Sequence, residues 1–281
     1  MQTRSIGPAT VSAIGLGGMP LSVSGRPDRD RAVATIRAAV EAGVTLIDTA
    51  DAYSLDDSDF GHNEELIAEV LRDTREEVLV STKGGHTRVP GGGWELDGRP
   101  EYLKSACEAS LRRLGVEAID LYHFHRPDPK VPTAESVGAL ADLLDAGKIR
   151  MAAVSNFDPD QIREAHEVLG GRLSAVQNQY SPVFRSSEPE LELCAELGVA
   201  FLPWSPLGGI GKAGDLGGGA QPFAAVARAH GVSPQQVALA WMLAKAPVVV
   251  PIPGSSRPES IRDSAAAAEL TLTGAELADL G

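Results

Sequence analysis

The chain alternates between short apolar, strand-like runs and helical runs from one end to the other, and this alternation limits the folds open to it. The strand-like runs lie near residue 14 and at 45–48, 78–83, 118–125, 149–156, 174–180, 199–206 and 248–254. Helical periodicity predicts helices at 28–42, 63–72, 100–114, 133–146, 159–169, 189–197, 223–229, 234–244 and 258–267. Because strands joined through helices pair in parallel, the pattern predicts an α/β protein with a buried parallel sheet.

The number of repeats favours a closed sheet. The runs make eight β/α units in 281 residues, which is typical of a (β/α)8 TIM barrel, and a β-hairpin with its turn at Pro8 precedes them. No linker or low-complexity tract interrupts the pattern, so we expect one domain over residues 1–281. An open doubly wound sheet is the alternative, but its glycine-rich phosphate turn is missing: GLGGMP lacks the last glycine of the G-x-G-x-x-G spacing and begins no helix.

Composition excludes several classes of partner. The formal net charge of -13 would repel a phosphate backbone, so we expect no nucleic-acid partner. The start of the chain lacks the apolar core of a signal peptide, and the run APVVVPIP is too short and too rich in proline to span a bilayer. We therefore expect a cytoplasmic protein with no membrane partner.

Polar residues at the carboxyl ends of barrel strands are the candidates for function, because that end of the barrel carries the active site. This rule selects Asp48, Tyr53, Lys83, His123, His125, Ser155, Asn156, Gln177, Trp204, Ser205, Ser255 and Arg257.

A lysine at the end of a buried strand needs a carboxylate partner, and Asp48 on the preceding strand is placed to supply it for Lys83. An ammonium group beside a phenol lowers the pKa of the phenol, so we expect Tyr53 to be a proton donor tuned by Lys83. A histidine from the next strand would orient the same carbonyl oxygen. These groups provide no reductant, which a cofactor would have to supply.

Two other chemistries remain open on these residues. His123 and His125 share one face of a strand, and an H-x-H pair is a recurrent metal ligand, although the later histidines, His166 and His230, lie in helical runs. Lys83 would alternatively form a Schiff base, which leaves Tyr53 without a role.

Along its whole length the chain resembles the aldo-keto reductase family. The resemblance rests on LIDTADAY followed by GHNEELI, STKGG, IDLYHFHRPD, VSNF, VQNQY, WSPLGG and PIPGSSRPESI, all in the family's order. It implies Tyr53 as the proton donor, Asp48 and Lys83 as its tuning pair, and His125 as the histidine that orients the carbonyl. His123 lies outside the motif.

The same resemblance implies an NADP(H) cofactor that lies extended across the mouth of the barrel. The cofactor-binding residues that it implies are Gly18, Met19, Ser155, Asn156, Gln177, Trp204, Ser205, Leu207, Gly208, Ser255, Arg257 and Asp263. The chain has Gly254 and Ser260 where some family members have lysine and arginine, which leaves Arg257 as the cation for a 2'-phosphate. The glycine-rich segment after Lys83 is predicted to be a mobile loop in which Trp94 either covers the substrate or only holds the loop in place.

The function implied is the reversible reduction of aldehydes or ketones to alcohols, with a small carbonyl compound as substrate and without a metal ion. A nucleotide-binding redox sensor with little turnover is the alternative on the same barrel.

Overall fold

The structure is a computed structural model that describes residues 1–74, 77–214 and 221–281. Its centre is a parallel sheet of seven strands in the order β11-β10-β9-β8-β5-β4-β3. These strands are β3 (Leu16–Gly17), β4 (Leu46–Asp48), β5 (Leu79–Gly84), β8 (Ile119–Phe124), β9 (Ile149–Ser155), β10 (Leu173–Gln177) and β11 (Ala200–Phe201).

An eighth extended segment, at residues 248–254, closes the sheet. It forms a parallel bridge to β11 between Val249 and Phe201, and another to β3 between Gly254 and Gly17. Backbone amides on both sides donate to it, including Phe201 to the Val248 carbonyl at 2.9 Å. The fold is therefore a (β/α)8 barrel, as the sequence predicts.

The helices lie close to their predicted positions. They are α1 (Arg29–Glu41), α2 (His62–Leu71), α3 (Pro100–Leu114), α4 (Thr133–Asp145), α5 (Pro159–Val168), α6 (Glu188–Leu197), α7 (Gln221–His230), α8 (Pro234–Lys245), α9 (Pro258–Ala266) and α10 (Gly274–Leu280). Side-chain caps fix several ends: Asp28 accepts from the Arg31 amide, and Asp158 forms a capping box with Gln161. In the described part of the chain, none of these helices is long and apolar enough to cross a membrane.

An N-terminal hairpin closes one end of the barrel. Strands β1 (Thr3–Ile6) and β2 (Ala9–Ser12) pair in antiparallel register. Ile6 and Val11 belong to the same apolar cluster as the inward-facing strand residues, and the turn at Gly7 packs against Met151 and Ser174 near the amino ends of β9 and β10. The carboxyl ends of the strands are thus the open end, where a barrel carries its active site.

Two elements differ from the sequence prediction. The segment after Lys83, predicted to be a mobile loop, contains the antiparallel hairpin β6 (His86–Arg88) and β7 (Trp94–Leu96). Helix α10 was not predicted, although Thr273 and Glu276 form a capping box at its start, and a T-x-x-E sequence is a signal for a helix N-terminus.

Candidate active site

Asp48, Lys83 and Tyr53 meet at the open end of the barrel. Asp48 ends β4, Lys83 lies near the end of β5, and Tyr53 follows β4 in a loop. The Lys83 ammonium, which is 1% exposed, donates to Asp48 Oδ2 at 2.6 Å, to the Thr49 carbonyl at 2.7 Å and to the Tyr53 hydroxyl oxygen at 3.2 Å. Because the phenol oxygen of Tyr53 accepts the hydrogen bond from Lys83, the phenolic hydrogen is left free to point into the cleft.

Asp48 is held by further hydrogen bonds on its other oxygen. Ser81 Oγ donates to Asp48 Oδ1 at 3.0 Å, and Gln177 Nε2 donates to the same atom at 2.8 Å. His123 Nε2 lies 2.9 Å from Ser81 Oγ, and because the serine hydrogen goes to Asp48, the imidazole must be the donor. Ser81 is therefore a part of the site that the sequence analysis missed, and it links Asp48 to His123, a strand-end candidate that lies outside the family motif. Ser81 lies two residues before Lys83 on the same strand, which places both on one face.

The pKa of Tyr53 differs from the sequence prediction. Burial raises it above the ordinary value of a phenol, and the neighbouring Lys83 ammonium, which lowers it, does not offset that effect. The expectation of a lowered pKa was wrong, because it considered the cation and not the loss of solvent. Burial alone would lower the pKa of Lys83, but Asp48 and Tyr53 outweigh it and raise the value. Lys83 is a cation and Tyr53 a neutral phenol at neutral pH.

His125 lies beside Tyr53 as a neutral imidazole. Its ring is 5.7 Å from the Tyr53 ring between centroids, at an interplanar angle of 78°. Burial, with smaller contributions from His86 and Lys83, holds the pKa of His125 well below its usual range. Asn156 Nδ2 donates to the His125 carbonyl at 3.0 Å, which fixes the end of β8 against the end of β9.

The hairpin β6–β7 forms one wall of the site. His86 lies 4.3 Å from His125 between ring centroids, and Trp94 lies 5.4 Å from His86. Arg88 fastens the hairpin to the loop that carries Tyr53: its guanidinium donates to the Ser54 carbonyl at 3.0 Å and also to the Leu55 carbonyl. The Arg88 guanidinium also lies 3.9 Å from the centre of the Trp94 ring.

Ser155, Asn156 and Gln177 come together at the ends of β9 and β10. The Ser155 hydroxyl donates to the Gln177 carbonyl at 2.7 Å and accepts from Asn156 Nδ2 at 3.0 Å. Asn156 has a φ of 62°, a left-handed conformation that asparagine adopts more readily than most residues. The side-chain nitrogen of Gln177 donates to Asp48, so the side-chain oxygen of Gln177 is left as a hydrogen-bond acceptor. The indole Nε1 of Trp204 is buried and has no hydrogen-bond partner among the described residues.

The far end of the cleft is formed by the start of α9. Arg257 precedes the helix as its N-cap, and its guanidinium lies 3.6 Å from the Glu259 carboxylate. The Ser255 hydroxyl donates to the Arg257 carbonyl at 2.9 Å. Both oxygens of Asp263 already accept hydrogen bonds, from Ser233 at 2.7 Å and from Gln236 at 2.6 Å.

One cleft of about 810 Å³ lies at this end of the barrel, and every predicted site residue lines it except Gly18, Lys83, His123 and Gly208. Lys83 lies behind Tyr53. Gly18 lies behind the cleft, where its amide donates to the Asp48 carbonyl at 2.7 Å and a Cβ would meet Asn63 Oδ1 at 2.5 Å. Gly208, with a φ of 92°, turns the chain between Leu207 and Gly209, which do line the cleft.

The cleft also has lining residues that the sequence analysis did not single out, among them His86, Arg126, Gln235 and Glu259. Arg126 directly follows the predicted catalytic His125, and that position was a usable signal. Within residues 1–74, 77–214 and 221–281, no three His, Cys, Asp or Glu side chains gather as a metal site would require.

Comparison with known proteins agrees with this geometry. The family model described as "Aldo/keto reductase family" matches residues 13–280. The chain belongs to the aldo/keto reductase family. This aldo/keto reductase is 34% identical to an uncharacterized oxidoreductase of Schizosaccharomyces pombe, over 99% of the chain and 88% of the relative.

Solved structures of the family have the same fold. A thermostable aldo-keto reductase in complex with the inhibitor epalrestat superposes with a TM-score of 0.83 at 30% identity, covering 100% of this chain and 98% of the other. An aldo/keto reductase of Klebsiella pneumoniae in complex with NADP and acetate superposes with a TM-score of 0.82 at 29% identity, covering 99% and 93%. The oxidoreductase family and the barrel are thus established for this aldo/keto reductase.

Proposed function

We propose that this protein is an NADP(H)-dependent enzyme that reduces aldehydes or ketones to alcohols, reversibly, with Tyr53 as the proton donor. The observation that carries the proposal is the position of the Lys83 ammonium, which donates to both Asp48 and the Tyr53 oxygen and leaves the phenolic hydrogen for the cleft. The reaction needs a neutral acid next to a hydride donor, and Tyr53 lines the cleft as a neutral acid.

The residues of the cleft suit a nicotinamide dinucleotide. The Gln177 oxygen and the Asn156 amide provide an acceptor and further polar contacts for a carboxamide, and the unpartnered Trp204 Nε1 offers a donor. Ser256, Arg257 and Ser260 at the start of α9 offer a helix N-terminus and a cation to a phosphate. Both carboxylate oxygens of Asp263 already accept a hydrogen bond, from Ser233 and Gln236, so Asp263 would contact an adenine only through its remaining lone pairs. When bound, the reduced cofactor supplies a hydride.

The protein's own groups handle the proton. Tyr53 donates its hydrogen to the oxygen of the carbonyl as negative charge develops there, and Lys83 stabilises the phenolate that remains. Asp48, fixed by Ser81 and Gln177, holds Lys83 in place and balances its charge where both side chains are buried. The neutral His125 donates a hydrogen bond to the same carbonyl oxygen and sets its orientation.

Tyr53→Phe tests the proposal. We expect the variant to lose a factor of at least about 10² in kcat for carbonyl reduction, since general acid catalysis contributes about 10² to 10⁴, while the Kd for NADPH stays nearly unchanged. The measurement is NADPH oxidation with a panel of aldehydes and ketones that includes a nitrobenzaldehyde, beside fluorescence titration with NADPH. Tyr180→Phe, at a buried tyrosine outside the cleft, is the matched control.

Two results would count against the proposal. An active Tyr53→Phe variant would exclude Tyr53 as the donor. A wild type that binds NADPH but reduces no member of the panel would instead be the redox sensor of low turnover.

We further propose that the enzyme works in the cytoplasm. Cys107 and Cys194 are free, buried thiols, which suits a reducing compartment.

A further inference from the structure

The hairpin β6–β7 brings a second imidazole into the cleft, and the proton relay at Tyr53 does not use it. His86 lines the cleft, and its ring packs edge to face on His125, with 4.3 Å between the centroids and an interplanar angle of 89°. Trp94 packs against the other side of His86 at 5.4 Å. The ring is thus held between two aromatic neighbours on a hairpin that Arg88 fastens to the Tyr53 loop.

One hydrogen bond fixes the tautomer of His86. Its Nδ1 lies 3.2 Å from the carbonyl oxygen of Glu95 on the opposite strand of the hairpin. A carbonyl only accepts, so Nδ1 carries the hydrogen. Burial, with the nearby cations Arg126, Arg88 and Lys83, lowers the pKa of His86 to about 4, although the bond to Glu95 acts in the other direction. The ring is therefore neutral at physiological pH, and Nε2 is an unprotonated acceptor.

That acceptor is open to the cleft. Nε2 of His86 has no hydrogen-bond partner in the described part of the chain, and it is not one of the buried polar atoms that lack a partner. The charged groups at this end of the barrel do not offer a substrate the same acceptor. Arg126 and Lys83 only donate hydrogen bonds, and Asp48 already accepts from Lys83, Ser81 and Gln177.

We propose that His86 is a specificity-determining residue, whose Nε2 accepts a hydrogen bond from a hydroxyl group on the carbon next to the carbonyl of the substrate. The inference rests on the proposed function, in which His125 contacts the carbonyl oxygen. The two oxygens of a 2-hydroxy carbonyl compound lie on adjacent carbons, and the two imidazoles lie against each other. A substrate that presents its carbonyl to His125 therefore has its hydroxyl next to His86, where the hydroxyl hydrogen finds an acceptor.

The test compares three aldehydes that differ at one position: lactaldehyde, propanal and 2-methoxypropanal. The methoxy compound has the oxygen but no hydrogen to donate. We expect His86→Phe, which keeps a flat ring without an acceptor, to lower the lactaldehyde-to-propanal ratio of kcat/KM about tenfold, the effect of a hydrogen bond of about 1.4 kcal/mol. His86→Gln restores an acceptor and should recover part of the ratio. His166→Phe, on the outer helix α5, is the matched control.

The wild type alone also tests the acceptor, whether or not the variants fold. Its kcat/KM for 2-methoxypropanal should not exceed that for propanal. If 2-methoxypropanal were preferred over propanal as strongly as lactaldehyde is, a donor such as Arg126 would be binding the substrate oxygen. An unchanged lactaldehyde-to-propanal ratio in His86→Phe would overturn the proposal.

A binding measurement separates this proposal from the proposed function. Calorimetry of the NADP⁺ complex with 1,2-propanediol and 1-propanol compares the hydroxyl contact without turnover. A wild type that reduces no aldehyde refutes the proposed function, and the preference for 1,2-propanediol over 1-propanol then tests the role of His86. If His86→Phe loses this preference, the hydroxyl contact is supported. If His86→Phe keeps the preference, the proposal is overturned.

Discussion

Arg257 is the residue on which we expect the choice between NADPH and NADH to depend. Its guanidinium lines the cleft at the start of α9 and is 55% exposed, with the Glu259 carboxylate 3.6 Å away. Arg257→Ala should weaken NADPH about tenfold more than NADH, since a hydrogen bond to a charged group contributes about 1.5 to 3 kcal/mol and exposure reduces it. Titration with both nucleotides measures this difference.

Arg262→Ala provides the matched control for that experiment. Arg262 lies on the same helix, but it pairs with Glu41 on the outside of the barrel at 3.0 Å. The difference between the two nucleotides at Arg257 should also shrink as salt is added, because screening weakens an exposed ion pair. Equal losses for NADPH and NADH in Arg257→Ala would show that this side chain does not read the 2'-phosphate.

The hairpin β6–β7 depends on Arg88 for its position. Its guanidinium donates hydrogen bonds to the carbonyls of Ser54 and Leu55 and packs on the face of the Trp94 ring. Arg88→Met keeps the apolar stem and removes these hydrogen bonds. We expect faster amide hydrogen exchange across residues 86–96, a loss of about tenfold in kcat/KM for carbonyl substrates, and an unchanged Kd for NADPH, because the hairpin lies away from the phosphate end.

Arg99→Met is the comparison for the hairpin, since Arg99 is an exposed arginine just beyond it that pairs with Asp97. If exchange in residues 86–96 responded equally to both variants, Arg88 would not be what holds the hairpin.

The barrel elements were predictable because each has a strong local pattern, and the hairpin was not because its strands are three residues long and are held by distant groups. Its glycines indicated a loop, while the contacts of His86 with His125 and of Arg88 with Ser54 join residues from different elements. For the same reason, some features of the site could be predicted from the sequence and others could not. The strand-end position of Lys83 was visible in the sequence, whereas the burial that sets the pKa of Tyr53 exists only in the folded chain.

The stability of the protein should depend on pH, because the open end of the barrel contains several buried groups whose ionisation changes on unfolding. His86, His123 and His125 are all held neutral, chiefly by burial, with pKa values below the usual range. Asp51 is a buried carboxyl group whose pKa burial raises, helped by Glu64. As the pH falls below about 6.5, an unfolded histidine binds a proton more readily than its folded form does, whereas Asp51 binds a proton more readily in the folded form.

These opposing groups predict the direction in which stability changes with pH. A base with a lowered folded pKa stabilises the fold fully above its unfolded pKa, near 6.5, and that stability is lost as the pH falls. The histidines with lowered pKa values outnumber Asp51, so the free energy of unfolding should fall as the pH drops below about 6.5. Urea unfolding followed by circular dichroism across this range measures the slope. His123→Phe should make the dependence on pH less steep whatever its effect on stability itself, and a wild-type free energy that does not change between about pH 6 and 5 would refute the assignment of neutral, buried imidazoles.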